Sequence, residues 1–479
     1  MKKFVFVVIP TIENAYHSLK DFVEIAIPYG MASVAGVVEK LGYEAVIIDG
    51  DAENLTFQDT IERVIRENPD FVGSTCMTAT MDTTTKFYDK LKESLPACKV
   101  IVGGPHVSAL PTRTLRECNS IDYVIKGEGE EAIEELLNGM ENGIDPESIK
   151  GLCFRKGERI VETRPREPIA DLGKLPIPAY HLLKYGLYRS YGWNAWTSGH
   201  RKPLGTMFTG RGCMGNCNFC ASQAVFGHSV RYFPLQRIKE ELDILVEKYG
   251  IKILYFEDDT FPANRNVVNK VCDYIIEKGY HRRLEIMVSS RTDTAHLPTL
   301  NKMRKAGVRW ICFGVESGNQ RILDIMRKNT TIQEIRDAFK KAKEAGIYAA
   351  GNYIIGCLGE TYATAVDTIR LACELEQYYA SFSVAIPLPG TDLYRHCVEK
   401  GIKLPPWNDF GSVNSPPIAF NDSLDAGKLM ELRRIATNRF FKRPGYILKL
   451  LRTFNAMTVL KDFAKMYFSL RREIKENRF

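Results

Sequence analysis

Thr209-Gly210-Arg211-Gly212-Cys213-Met214-Gly215-Asn216-Cys217-Asn218-Phe219-Cys220 is the stretch on which the reading of this chain turns. Three cysteines stand at C-x3-C-x2-C, after an apolar run that begins near Leu204. Thiolates at this spacing on one loop can converge on one iron–sulfur cluster. Three thiolates ligate three irons of a [4Fe–4S] cube and leave the fourth iron an open position. A chelating amine and carboxylate, such as the methionine end of S-adenosylmethionine, can fill it. Reductive cleavage of the sulfonium then yields a 5′-deoxyadenosyl radical, which abstracts unactivated hydrogens. The competing readings are buried free thiols or a zinc site, for which His228 is the one nearby fourth ligand.

Outward from this loop, strand and helix patterns alternate from Leu204 to about Pro389. Strand ends are expected near Thr209, Phe256, Ser289, Gly314, Gly356 and Pro387. Leu235, Ile238, Leu242, Leu245 and Tyr249 step by three and four, the period of an amphipathic helix. Six βα units imply a partial barrel, open on one side, with its chemistry at the carboxyl ends of the strands.

The cysteine loop, with Phe219 at the aromatic position of C-x3-C-x-aromatic-C, resembles that of the radical S-adenosylmethionine superfamily. The strand-end motifs over residues 205 to 395 resemble the same family in order. Phe256-Glu257-Asp258-Asp259-Thr260-Phe261 resembles the segment near the amino group of S-adenosylmethionine, in place of the Gly-Gly-Glu form of other branches. Ser289-Ser290-Arg291 resembles the segment facing the ribose and the methionine carboxylate, and Gly314-Val315-Glu316 the next strand end. Gly356 lies in the segment that resembles the adenine-side motif. The resemblance thus implies Cys213, Cys217 and Cys220 as iron ligands. It implies Phe219, Glu257, Asp258, Asp259, Ser289, Arg291, Glu316 and Gly356 around S-adenosylmethionine.

Residues 1 to 150 alternate likewise: strands at Phe4–Ile9, Ala45–Asp49, Phe71–Ser74, Val100–Val102 and Tyr123–Ile125, with helices between. This implies a doubly wound, Rossmann-like parallel sheet whose ligands sit at the strand ends. Those ends carry Ser74-Thr75, Gly103-Gly104-Pro105-His106 and Gly127-Glu128. They resemble the cobalamin-binding domain of one branch of the superfamily: Ser74-x-Cys76, 26 residues, then Gly103-Gly104, with Cys in place of the usual Leu. The resemblance implies that Ser74, Thr75, Gly103, Gly104, Pro105, His106, Gly127 and Glu128 bind cobalamin. The cobalt-ligating Asp-x-His-x-x-Gly is absent, and Ile27–Ala32 stands at its place. A degenerate domain that binds no corrinoid is the alternative. His106 reads as an ordinary hydrogen-bonding loop histidine before a ligand.

Residues 151–200 read as a linker with a hairpin around Gly157, residues 201–415 as the barrel, and residues 416–479 as a basic helical region. Over 479 residues the net charge is +7, but Lys428 to Phe479 holds 14 Lys and Arg against 4 Asp and Glu, so the rest is slightly acidic. A general nucleic-acid surface is therefore not indicated. The tail's apolar stripe, Tyr446, Ile447, Leu450, Leu451 and Phe454, followed by Val459, Leu460, Phe463, Tyr467 and Leu470, has three readings. It covers the open side of the barrel, touches an anionic membrane peripherally, or binds RNA. Twelve cysteines in so long a chain suggest a reducing compartment, and the apolar start Phe4–Ile9 is too short for a signal peptide. A cytoplasmic enzyme is expected, drawing electrons from a flavodoxin- or ferredoxin-type donor and acting on a small-molecule or lipid-like substrate. Its implied reaction is cobalamin-dependent methylation of an unactivated carbon. The alternatives are radical cyclisation, carbon–carbon coupling or redox chemistry. A methylthiotransferase is disfavoured because Cys76, Cys98 and Cys118 give no second cluster motif.

Overall fold

The computed structural model describes residues 1–11, 24–190, 203–410, 417–420 and 423–461. In the N-terminal half, β1 (Lys3–Val8), β2 (Glu44–Asp49), β3 (Phe71–Thr75), β4 (Lys99–Gly103) and β5 (Tyr123–Ile125) form a parallel sheet in the order β2-β1-β3-β4-β5. These strands are apolar on both faces because helices cover both. Helices Tyr29–Lys40 and Glu130–Asn142 bury Ala32, Val37, Ile133 and Leu136 on the face of Phe71 and Ile101. Helices Phe57–Glu67 and Met81–Ser94 bury Ile61, Val64, Phe87 and Leu91 on the face of Val72 and Val100. Helix Phe57–Glu67 starts where it does because Thr56 and Asp59 satisfy each other's backbone N–H groups. The expected hairpin, β6 (Leu152–Lys156) and β7 (Arg159–Glu162), is present, but it is no free connector. It pairs antiparallel with β5 and extends the first sheet to seven strands.

The second half is a six-stranded, all-parallel sheet. Its strands are β8 (Leu204–Met207), β11 (Ile253–Phe256), β12 (Glu285–Arg291), β13 (Val308–Glu316), β14 (Tyr348–Ile355) and β15 (Tyr379–Val384), neighbours in chain order. β8 and β15 do not pair, so the barrel is open. A short antiparallel pair, β9 (Gly210–Arg211) and β10 (Arg231–Tyr232), brackets the cysteine loop. Ser289 is registered with Cys312, and Asn352 with Gly314 and Ser381, so strand alternation turns Ser289, Cys312, Asn352 and Ser381 to one face of the sheet. Asn352 is exposed although β14 is paired on both sides, so that face lines an open lumen.

The tail packs on the barrel. Helix Ala426–Phe441 lies on β15 and on helix Tyr362–Glu374, with Phe440 against Phe382. In helix Pro444–Thr453, Tyr446 and Leu450 are buried and the Tyr446 hydroxyl donates to the Tyr378 carbonyl at 2.7 Å. Phe454 stacks on Trp310 at 5.8 Å and meets Tyr348 edge-on near the start of β13 and β14. Of the tail stripes, Tyr446, Leu450, Phe454 and Val459 are core, whereas Ile447 and Leu460 are exposed; Phe463, Tyr467 and Leu470 lie outside the described residues. No helix among the described residues is long and apolar enough to cross a membrane.

Candidate active site

The cysteine loop leaves β8 at the carboxyl end of the barrel and is anchored from two sides. Inside the barrel, Asp258 accepts from Thr209 N (2.9 Å), Thr209 Oγ1 (2.6 Å) and Gly210 N (2.8 Å). Burial pushes this carboxyl up to about 7 despite the three donors. From the first domain, Glu128 and Glu130 take Arg211 Nη1 and Nη2 at 2.8 and 2.6 Å. Arg231 Nη1 donates to the second Glu128 oxygen at 2.6 Å, as does Ile169 N at 2.9 Å. All four ion-pair partners are largely buried. Burial works to raise the Glu130 carboxyl, and Arg211 outweighs it and holds it low.

Between these anchors Cys213, Cys217 and Cys220 are free thiols of intermediate exposure. Gly215 N donates to Cys213 Sγ at 3.3 Å. A Cβ on Gly215 would stand 3.3 Å from Cys213 Sγ, 3.8 Å from Cys217 Sγ and 3.1 Å from Arg291 Nη1, so only glycine leaves that cradle open. Burial pushes the Cys220 thiol up to about 11 and raises Cys217, where Lys328 and Arg291 partly oppose it. Iron binding must therefore displace protons. Among the described residues, no three His, Cys, Asp or Glu side chains close on a single metal ion.

The surroundings fit a cluster that carries an aminoacyl chelate. Asp259 Oδ1 is held by Ser222 Oγ at 2.5 Å, while Oδ2 is buried with no partner, an acceptor waiting for an ammonium. Arg291 is clamped through Nε and Nη2 by Asp293 and by the Lys328 carbonyl (2.8 Å), with Nη1 turned to Gly215 of the cysteine loop. Ser289 Oγ meets Tyr255 OH at 2.6 Å. Burial, then Glu24 and Asp258, push Glu257 up to about 7. Phe219 is half-buried against a small apolar cluster that includes Cys357. Glu316, at φ +66 after a register shift in β13, pairs with the buried Lys328 at 2.8 Å. Gly356 (φ +89) turns the chain after β14 and is approached by Leu429 of the tail helix; a Cβ there would meet Leu429 Cδ2 at 2.6 Å.

The residues assigned to cobalamin separate into groups. Thr75 is exposed, and nothing lies within 4 Å of where a Gly103 Cβ would stand, so these strand ends leave open space on the face of helix Tyr29–Lys40. Gly127 (φ +77) lies at the β5 end, and a Cβ there would face the Val225 carbonyl at 3.5 Å. Gly104 is glycine for another reason: at φ +108 a Cβ would stand 2.9 Å from the Cys76 backbone. Pro105 opens the short helix Pro105–Ala109. Ser74 faces the opposite side, beside Tyr88, its Oγ buried without a partner. His106 is buried between Thr78 (3.3 Å) and the edge of Trp407 (4.8 Å), and burial pushes it down to about 4. It is a neutral packing histidine. Glu128, assigned to the corrinoid from its place after Gly127, spends both oxygens on Arg211, Arg231 and Ile169, and Asp258 spends both on the loop it anchors; each positions the cluster loop. The open strand ends at Thr75 and Gly103 suit a bulky polar ligand of corrinoid type, whereas Ser74 lies on the other face of the sheet, beside the Tyr88 hydroxyl. Arg211 lay in plain view in the cysteine motif, but its partners come from 81 and 83 residues away. Lys328 carried no sequence signal.

A two-domain α/β chain of this kind, with strand ends apposed and a three-cysteine loop between them, defines a class of cofactor-dependent enzyme. The B12 binding domain family matches residues 20–137, and the Radical SAM superfamily matches residues 207–372. A protein described as an uncharacterized methyltransferase of Pyrococcus horikoshii is 34% identical over 426 residues, which is 88% of this chain and 89% of that one. An anaerobic magnesium-protoporphyrin IX monomethyl ester cyclase of Cereibacter sphaeroides is 26% identical over 84% of this chain and 65% of its own. The fold is shared with the radical S-adenosylmethionine methyltransferase TsrM of Kitasatospora setae, solved with cobalamin and a [4Fe-4S] cluster (TM-score 0.68, 19% identity, 85% and 76% covered). It is also shared with OxsB, solved with aqua-cobalamin and S-adenosylmethionine (TM-score 0.75, 16% identity, 97% and 72% covered). The chain belongs to the cobalamin-binding branch of the radical S-adenosylmethionine superfamily, and it is an enzyme.

Proposed function

We propose that this enzyme methylates an unactivated carbon of a small molecule. The observation that carries the reading is the apposition of two kinds of cradle. The open strand ends at Thr75 and Gly103 belong to the same sheet edge that meets the cysteine loop through Gly127–Val225 and Glu128–Arg211. Cys213, Cys217 and Cys220 would hold the cluster, and Asp259 and Arg291 the amine and carboxylate of S-adenosylmethionine. When bound, these groups supply a 5′-deoxyadenosyl radical and a transferable methyl group. The chain's part is to keep the two sites at fixed separation through Arg211 and Asp258, and to offer a lumen lined by Ser289, Asn352 and Ser381. An external reductant, of flavodoxin or ferredoxin type, delivers the electron.

The test is anaerobic purification with hydroxocobalamin and cluster reconstitution, followed by iron and corrinoid counts and the Co(II) EPR spectrum. About one corrinoid per chain without nitrogen coordination supports methyl transfer. A full cluster without corrinoid removes it and leaves coupling, redox chemistry or cyclisation, the last being the chemistry in the name of the Cereibacter relative. Exposed Ile447, Leu448, Met457 and Leu460, close in sequence to Lys449, Arg452 and Lys461, favour a lipid-like substrate met at a membrane surface. Cosedimentation with phosphatidylglycerol vesicles, lost in Leu448→Glu/Met457→Glu, checks that part.

A further inference from the structure

Glu316 and Lys328 are buried charges inside the barrel that pair with each other, Lys328 Nζ donating to Glu316 Oε1 at 2.8 Å. The pair is held by strained backbone. Five non-glycine residues have positive φ among the described residues, and three of them are Glu316 (+66), Arg327 (+54) and Asn329 (+53). One carries the carboxylate and the other two flank the lysine. Left-handed backbone at such residues persists only where the surroundings over-determine it, and it gathers at functional sites. Gly314 belongs to the same arrangement, since a Cβ there would collide with Glu316 Oε1 and stand 2.8 Å from Lys328 Nζ. Stability does not explain these constraints, because a buried ion pair is seldom better for a fold than an apolar pair of the same volume.

The lysine's segment is stitched to the cysteine loop. Asn218, between Cys217 and Cys220, donates from its backbone N to the Met326 carbonyl (3.1 Å) and from Nδ2 to the Ile325 carbonyl (2.8 Å). Arg291 Nη2 donates to the Lys328 carbonyl at 2.8 Å. Burial raises the Cys217 thiol; Lys328 opposes that most, then Arg291, while Glu316 acts the other way and more weakly. We propose that Lys328 is a positioning residue for the cluster's electron: its fixed positive charge beside Cys217 raises the reduction potential of the iron–sulfur group, and Glu316 holds it there while partly opposing it. Reduction adds one electron to the cluster, and no bond or proton moves, so a neighbouring cation favours the reduced form. Charge and hydrogen bonds at the sulfurs are among the levers that set such potentials. The inference rests on the loop holding a cluster and not on methyl transfer.

The experiment is a redox titration of the reconstituted full chain with dithionite and mediator dyes, without S-adenosylmethionine, read by the EPR signal of the reduced cluster. Lys328→Met is expected to lower the midpoint by about 59 mV or more, a tenfold fall in the ratio of reduced to oxidised cluster at fixed potential. Glu316→Gln breaks the same ion pair from the other side and should raise the midpoint. Lys328→Arg should return most of the parent value. Arg370→Gln removes an exposed charge on helix Tyr362–Glu374 and should leave the midpoint unchanged. The opposite signs separate charge from packing, because a merely structural pair moves the potential the same way whichever partner is lost. Iron is counted in every variant. A parent chain that takes up no iron sinks the cluster reading itself. A full cluster whose midpoint shifts the same way in Lys328→Met and Glu316→Gln, or in neither, overturns the proposal. Where Lys328→Met loses its iron, the sign in Glu316→Gln decides, and a fall or no change overturns it.

Discussion

The two strand-end edges that face each other in this enzyme are built on opposite principles. The barrel edge is crowded with thiols and charges: Cys213, Cys217, Cys220, Asp258, Asp259, Arg291 and the Glu316–Lys328 pair. The N-terminal edge is small and open at Thr75, Gly103 and Gly127, and its two carboxylates, Glu128 and Glu130, are given to the barrel's arginines. One edge is lined by charge and thiols, and the other leaves open space. Even the anchors of the cysteine loop differ. Asp258 is met by neutral donors and its carboxyl is pushed up, whereas Glu130 is met by Arg211 and held low. Within a domain a hydrogen-bonded carboxyl suffices; between domains a balanced ionic clamp also fixes register.

The largest break in this comparison is at the thiols. Cys213→Ala, Cys217→Ala or Cys220→Ala should abolish formation of 5′-deoxyadenosine, by more than a hundredfold, while corrinoid binding at the other edge persists. Parallel assays of both cofactors check the separation. Next comes the clamp. Arg211→Met takes the guanidinium from buried Glu130, while Glu128 keeps Arg231 and Ile169 N, and breaking such a pair from one side costs about 3–5 kcal/mol. Denaturant titration should show that loss, and adding Glu130→Gln should restore part of it.

A smaller effect belongs to His106, whose folded pKa lies near 4 against an ordinary 6.5. The unfolded chain binds the proton first, so stability is full above about 6.5 and falls as pH drops toward 4, by about 3 kcal/mol in all. His106→Gln should flatten that slope in urea melts between pH 4 and 7. The finest test sets Gly104 against its neighbour. Gly104→Ala, at positive φ and against the Cys76 backbone, should cost about 1–3 kcal/mol. Gly103→Val should barely change stability and should weaken hydroxocobalamin binding at least about tenfold by filling the open space. Loss of stability in Gly103→Val with unchanged binding would exchange the two roles.

The parallel βα order, the partial barrel and the cysteine loop were legible from periodicity and spacing, because each is written in residues close in sequence. The hairpin Leu152–Glu162 was legible as a hairpin, but its membership of the first sheet was not, since its partner β5 offers only a short apolar run. Glu128 was misread because its position after Gly127 suggests a ligand contact, while its two arginines stand more than 80 residues away. His106 was assigned to the corrinoid from its place after Gly103-Gly104-Pro105, with an ordinary hydrogen-bonding histidine as the competing reading, and it lies buried on the short helix Pro105–Ala109. The reason it is buried, Trp407, returns from 301 positions further along the chain.

By itself, then, the sequence determined the class of chemistry: three thiols on one loop at the end of a strand, with acidic and basic strand ends in order. Local chemistry of that kind depends on spacing along the chain, which the sequence contains. Tertiary structure decided which charges are spent and which stay available. Asp258, Glu128 and Glu316 are committed to protein partners, and Asp259 keeps a buried oxygen free. The physical reason is burial. A carboxylate's role depends on the donors that desolvation forces it to find, and those donors arrive from other elements only when the two domains close on one another.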